Sequence, residues 1–228
     1  KKLVQLQFPI QSDISQTKAY RAVVRQGKSA SQIAEATGLP LQAPEQLQLF
    51  LYDSLAGAIP IILVPHRLDF VTLVQALVHR NEPVTIPDSM GACMVKGYSN
   101  WQRITTYRQQ WEAHNPHKNS SMDWMLELRK LMSQKHLYQD RFIILSGGPY
   151  SGLTATEMGL DSELWHRYSL EIRLAHECTH YFTERILGEA RHHIFDELLA
   201  DYVGMVAATE QYHPQWFLHF LGLENLPH

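Results

Sequence analysis

The sequence predicts a helix-dominated α+β fold with a small sheet, and three observations carry that expectation. Helical spacing of apolar residues recurs along the chain, above all over residues 162–208, in an element expected to end at Gly188 and a second that follows it. Two short, continuous apolar runs, Ile61-Ile62-Leu63-Val64 and Phe142-Ile143-Ile144-Leu145, have the length and branching of buried strands. Helical stretches separate those runs, as expected where strands and helices share one core.

Taken in order, Leu3 to Phe8 alternates apolar and polar residues and predicts a half-buried strand. Lys18, Arg21 and Arg25 fall at helical spacing, a second helix is expected over 29–37 before Gly38 and Pro40, and a third over 44–57. Residues 1–57 thus form a candidate N-terminal helical subregion. After the strand at 61–64 the pattern gives a helix over 68–79 and an edge strand over 83–87 between two prolines. A glycine-containing stretch at 90–97 leads to helices over 101–111 and 122–135. Ser120 with Asp123 offers the latter a capping box, and 115–121 reads as an exposed loop. The strand at 142–145 runs into Ser146-Gly147-Gly148-Pro149-Tyr150-Ser151-Gly152, a turn-rich segment. Asp161 or Ser162 can cap a long helix to about Leu187, and a further helix spans 194–208. The C-terminal Trp216-Phe217-Leu218 and Phe220-Leu221 read as core.

Composition bounds the function. The chain has 228 residues, 45% of them hydrophobic, and 20 Lys+Arg against 23 Asp+Glu give a formal charge of −3. That balance argues against a surface built as a whole for nucleic acid. Its longest strongly apolar run, 58–65, is far shorter than the roughly 20 residues of a membrane-spanning helix. Cys93 and Cys178 are too few for a disulfide scaffold. One domain over 1–228 is the expectation. The sequence opens Lys1-Lys2-Leu3, so a targeting segment before it stays open and a cytoplasmic location is the default.

The chemistry concentrates in His176-Glu177-Cys178-Thr179-His180. Residues four apart on a helix share a face, so His176 and His180 can bind one metal ion together. Glu177 sits at the edge of that face, where its carboxylate can act as general base on a metal-activated water. At this chain's composition the pentapeptide would arise by chance about 0.04 times. Catalytic zinc takes three protein ligands. Glu197, 17 residues after His180 and beyond the turn near Gly188, is the candidate third, with Asp196 as fallback and Glu184 as another acidic rival. Asp201, four residues after Glu197, can accept the remaining ring N–H of a zinc-bound histidine, His176 first among them.

In these residues the sequence resembles the gluzincin, thermolysin-like metallopeptidases, in which H-E-x-x-H on one helix is completed by the Glu of an E-x-x-x-D pattern on the next. The resemblance covers about a fifth of the chain, near 162–208. It implies a zincin-type helix pair packed on a small sheet, a Zn cofactor, a peptide or protein substrate, and an edge strand that holds the substrate, for which 143–150 lies in the right chain position. The metzincin pattern is absent, because Thr183 and Ile186 stand where it needs Gly and His. His192, His193 and Tyr202 are close enough in sequence to be candidate stabilisers of the transition state. Cys178, at a free position of the motif, reads as a structural thiol, and so does Cys93. Two other readings compete. Residues 29–39 have the small-residue and glycine spacing of half a helix-turn-helix, within a 1–40 segment of charge +4, which would make the chain a DNA-binding regulator with an attached protease-like domain. A catalytically silent zinc scaffold is the other, and Glu177 speaks against it, since a structural site has no use for a base.

Overall fold

The computed structural model describes residues 3–31, 33–118, 120–188 and 193–223. The class is α+β, with eight α-helices and a four-stranded sheet among those residues. The helices are α1 (Lys18–Val24), α2 (Arg67–Leu77), α3 (Trp101–His114), α4 (Ser121–Ser133), α5 (Lys135–Tyr138), α6 (Ser162–Ile186), α7 (His193–Thr209) and α8 (Pro214–Leu221). The strands are β1 (Gln48–Ser54), β2 (Gly57–Val64), β3 (Ala92–Ser99) and β4 (Gln139–Ser146), in spatial order β1-β2-β4-β3. No helix of the described residues is long and apolar enough to cross a membrane.

The chain forms two compact units. One comprises 1–40, 76–83 and 95–141, the other 41–75, 84–94 and 142–228. In the first unit Phe8, Ile14, Tyr20 and Val23 are buried together, with Ile33 and Ala36 packed on them. Buried Asn81 ties its N-terminal segment down, donating from Nδ2 to the carbonyls of Gln5 at 3.0 Å and Phe8 at 2.9 Å. The helix over 122–135 is observed as α4, with the full Ser120–Asp123 capping box.

The second unit carries the sheet face on which α6 packs. β1 and β2 form a hairpin in register from Gln48↔Leu63 to Ser54↔Gly57, and β2 pairs in parallel with β4 from Ile61↔Ile143 to Val64↔Ser146. Ile59, Ile61, Ile143 and Leu145 are buried against Tyr181 of α6, with Leu174, Cys178 and Phe182 packed on the same cluster. Each fully buried isoleucine there contributes about 2 kcal/mol, which fixes α6 on the sheet. Of the C-terminal residues expected as core, Trp216 and Phe220 pack partly buried on a second cluster, where Trp216 meets Trp165 at 5.7 Å between ring centroids and Phe220 meets Tyr150 at 4.8 Å, whereas Leu218 and Leu221 are exposed.

Several local expectations are corrected. The 3–8 segment is a 3-10 turn, Val4–Gln7, not a strand; its carbonyls find Asn81, its own N–H groups and the backbone N–H groups of Gly38 and Leu39. Among the described residues of 29–37 there are turns closed by Ile33 N to Ala30 O and Ala36 N to Ile33 O, and no helix. Ala30, Ile33 and Ala36, three apart, reach the same core through such turns without a continuous helix. The 44–57 helix is replaced by a 3-10 turn at Pro44–Gln46 and by β1, because pairing with β2 outweighs local propensity. Gly57 supports the hairpin turn with a φ of 101°, open to glycine and costly elsewhere. The 83–87 segment is irregular, its Val84 and Pro87 carbonyls taken by Gln75 and Arg67 side chains, while part of the expected 90–97 loop is β3.

Candidate functional site

The site is made by α6 and α7. Asp161 caps α6, its Oδ1 accepting from Glu163 N at 2.8 Å and Leu164 N at 3.2 Å. This helix has two working faces. Leu174, Cys178, Tyr181 and Phe182 point to the sheet, and His176 and His180 lie roughly half a turn round the axis from them. α7 packs antiparallel on the histidine side, for partner numbers fall along one helix as they rise along the other: His180 meets Asp196, His176 meets Asp201, and Ile172 meets Gly204. Gly204 is the close approach. A Cβ there would lie 2.7 Å from Ile172 O and 3.1 Å from Ile172 Cγ2.

Each histidine is held by its own aspartate. His176 Nδ1 lies 2.9 Å from Asp201 Oδ1, and His180 Nδ1 lies 2.7 Å from Asp196 Oδ2. A carboxylate accepts, so both Nδ1 atoms carry a hydrogen; in the neutral rings both Nε2 atoms present lone pairs, and a ring that takes a second proton donates it from Nε2 to Glu197. Those Nε2 atoms are 3.0 Å apart, and Glu197 Oε2 lies 3.4 Å from the first and 3.5 Å from the second. His176, His180 and Glu197 are thus a convergent group of electron-pair donors suited to a metal ion. Burial alone would lower the His176 pKa, but the Asp201 and Glu197 carboxylates overcome it and raise it to about 9. Burial also works against His180, yet its pKa rises through Glu197 and Asp196 despite the opposing charge of His176. Hydrogen bonds from the two histidines hold the Glu197 carboxyl well below the usual range. The Glu197 side chain is 59% exposed, against 14% and 17% for the histidines, so the cluster opens to solvent at the glutamate.

Around this cluster stands a second layer. Tyr150 OH donates to Asp201 Oδ1 at 2.5 Å and lies 2.9 Å from His176 Nδ1, and its backbone N–H donates to buried Ser169 Oγ at 3.0 Å. Burial first, and the Asp201 charge after it, push the Tyr150 pKa far up and keep the phenol protonated as a donor. Arg173, three residues before His176 and only 3% exposed, donates to Ser146 O and Pro149 O, both at 2.9 Å, with its guanidinium 5.8 Å from the Tyr150 ring centroid. Its pKa is lowered by burial to about 10, still cationic at neutral pH. Glu177 is half-buried, and its charge bears on Tyr150, Arg173 and His176.

The sequence-derived residues therefore divide as follows. His176, His180 and Glu197 converge, and Asp201 reaches His176. Asp196, read as a fallback third ligand, is the hydrogen-bond partner of His180 instead, while Glu184 lies a turn further along α6, outside the convergent group. Tyr202 is 46% exposed and meets the Tyr212 ring at 5.4 Å. His192 lies outside the described residues, as does the side chain of His193. Cys178 is packed in the sheet-facing core, where burial raises its thiol to about 12, an unreactive state at neutral pH. The 143–150 segment is no free edge, because β4 lies between β2 and β3. Tyr150 and Arg173 were not anticipated. Their roles depend on a contact between the glycine-rich segment and α6 that no local pattern reports, whereas the Asp196 pairing follows from the register that puts Asp201 against His176.

Fold and site together define an α+β protein with a His–His–Glu cluster on two antiparallel helices. The chain belongs to DUF7005, a family of unknown function that matches it over residues 1–228. No curated protein and no solved structure matches it.

Proposed function

We propose that the chain is a zinc-dependent hydrolase of peptide bonds, with a zincin-type pair of helices holding the ion through His176, His180 and Glu197. One observation carries the reading: three lone-pair atoms separated by 3.0, 3.4 and 3.5 Å. Ligands about 2.0–2.1 Å from a tetrahedral zinc lie about 3.3–3.4 Å apart, so the triangle has the size of one face of that tetrahedron. Three such atoms repel one another unless a cation stands between them, and two imidazoles with a carboxylate are a donor set that suits zinc. Zinc bound there would supply Lewis acidity, lowering the pKa of water to about 7 and polarising a carbonyl.

The chain's own residues do the rest. Asp201 and Asp196 fix the histidine tautomers, so that both Nε2 atoms face the ion without rotating. Glu177 accepts a proton from the attacking water and returns it to the departing amine. Arg173, cationic at neutral pH, interacts electrostatically with Glu177. A peptide is the substrate class that the H-E-x-x-H and E-x-x-x-D arrangement implies. Exposure on the Glu197 side leaves a way in from solvent.

The test is metal content and peptide-library hydrolysis of the wild type, Glu197→Ala and Glu177→Gln. The expected result is one zinc per chain in the wild type, a sharp loss in Glu197→Ala, and retained zinc without turnover in Glu177→Gln. A wild type that takes up no zinc would refute the site, and an active Glu177→Gln would refute the mechanism.

A further inference from the structure

Helix α4, in the first unit, has two apolar faces, and only one of them is covered. Trp124, Leu128, Leu131 and Met132 pack with Ile104 and Tyr138. On the opposite side Met122, Met125 and Leu126 are 71%, 49% and 53% exposed. Their spacing of i, i+3 and i+4 makes them one stripe, and exposed Arg129, at i+7, continues it toward the C-terminus. Lys130, 73% exposed, flanks that end of the stripe. The zinc reading uses none of these residues.

The acidic residues of the helix stand off this stripe. Asp123 and Glu127 lie about 100° and 140° round the axis from Met122. Asp123 is engaged in the cap, its Oδ2 accepting from Ser120 Oγ at 2.6 Å, and Glu127 accepts from Tyr107 OH at 2.7 Å and meets Lys130 Nζ at 3.4 Å. The wider charge distribution has the same sign. The first unit holds 15 of the 20 Lys and Arg residues but 7 of the 23 Asp and Glu, so a chain of net charge −3 concentrates its cations in the unit that carries α4. Such an asymmetry is the footprint of a polyanionic partner.

From the exposed stripe and the cations at its end, we infer that α4 is a docking surface for an anionic lipid membrane. The helix lies flat on the interface, its 13 residues covering about 20 Å. Met122, Met125 and Leu126 enter the boundary between headgroups and acyl chains, where flexible methionine side chains adapt to a disordered apolar phase, and Arg129 and Lys130 meet the anionic headgroups. A nucleic-acid backbone would use the cations and leave the three apolar side chains with nothing to bury against, whereas a lipid interface takes both. Three such side chains hold too weakly alone, so the two contributions combine into reversible attachment.

The test is co-sedimentation of the whole chain with vesicles of phosphatidylcholine alone and of phosphatidylcholine mixed with phosphatidylserine. Binding is expected on the mixed vesicles only, and it should fall sharply in about 1 M salt, where the screening length is about 3 Å. The double variant Arg129→Gln, Lys130→Gln is expected to weaken binding about 25-fold, since each cation at an anionic surface contributes about fivefold. Met122→Gln, Leu126→Gln keeps the charge and the helix propensity and should weaken binding at least fivefold. All four residues are exposed, so both variants should melt with the wild type, and a thermal melt of each separates loss of fold from loss of binding. Absence of binding to the mixed vesicles, equal binding to phosphatidylcholine alone, or wild-type affinity in either folded double variant would overturn the inference. A chain that shifts duplex DNA but does not sediment with the mixed vesicles would overturn it in favour of a nucleic-acid partner.

Discussion

Replacing Gly204 by alanine sets two known effects against each other at the point where α7 comes closest to α6. Alanine in a helix interior is favoured over glycine by about 1 kcal/mol. Against this, the new methyl would lie 2.7 Å from Ile172 O and 3.1 Å from Ile172 Cγ2. The first neighbour is backbone and the second belongs to a β-branched side chain that is fully buried, so neither can rotate away. Overpacking of this kind costs about 1–3 kcal/mol, and the rigidity of both neighbours puts the cost in the upper part of that range. A net loss of about 1–2 kcal/mol is expected, or a fall in Tm of roughly 2–8 °C. The site should register the change too. Asp201 lies one turn before Gly204, and moving α7 outward by about half an ångström would lengthen the 2.9 Å Asp201–His176 bond to about 3.4 Å and weaken it. Zinc affinity should then fall about tenfold, as when an orienting carboxylate is lost. Differential scanning calorimetry with a competitive chelator titration measures both. A higher Tm with unchanged zinc affinity would refute the packing argument and with it the register of the two helices.

The other expectations concern the carboxylates. Asp201→Ala and Asp196→Ala should each lower zinc affinity by about 10–100-fold, because each frees one imidazole to rotate and change tautomer; a chelator titration showing an effect for Asp201 alone would contradict the paired arrangement. Tyr150→Phe removes the donor to Asp201 and should weaken zinc binding less than Asp201→Ala does, with equal losses arguing that the phenol does more than orient. Glu82 in the first unit accepts from Asp13 N at 2.8 Å and Ser15 N at 3.0 Å, and the bonds to Ser15, then the one to Asp13, lower its pKa. A carboxyl whose folded pKa is depressed stabilises the fold above its unfolded pKa and loses that contribution as pH falls through the folded value. Glu82→Gln should therefore show a smaller stability difference between pH 6 and acid in urea unfolding, and an unchanged difference would remove Glu82 from the acid response.

What could be seen in the sequence was governed by how local each cause is. His176, His180, Glu197 and Asp201 lie on two long helices whose period fixes which side chains share a face, so their convergence follows from spacing and one reversal near Gly188. Asp196 shows where spacing alone stops. As a neighbour of Glu197 it is the fallback candidate for the ion, and only the pairing of His180 with residue 196 gives it the Nδ1 hydrogen. Tyr150 lies further beyond reach, because its place depends on Ser169 and Arg173 holding a turn-rich segment against α6. The same limit explains β1. Nothing within 48–54 outweighs a helical reading, and the strand exists because each residue from Gln48 to Ser54 finds a partner on β2.

The protonation pattern and the geometry of the site are two views of one preference. With Asp201 and Asp196 on the outer nitrogens, the inner nitrogens and Glu197 Oε2 place three lone pairs within 3.5 Å of one another. Without a metal, protons are the cations that can relieve that repulsion, and the pKa values of the group shift accordingly: the histidines are raised against the effect of burial, and Glu197 is lowered. A site evolved merely to link two helices would alternate donors and acceptors and need no added charge. Here the inward-facing atoms are all acceptors and the outward partners are all carboxylates, so positive charge must come from outside the set. On the proposed reading zinc and protons would compete for the same three atoms, and zinc affinity should fall steeply as pH drops through the range in which imidazole binds a proton. A chelator titration at pH 8 and pH 6 tests this directly: affinity that does not change between the two would mean that the three atoms do not form the binding site.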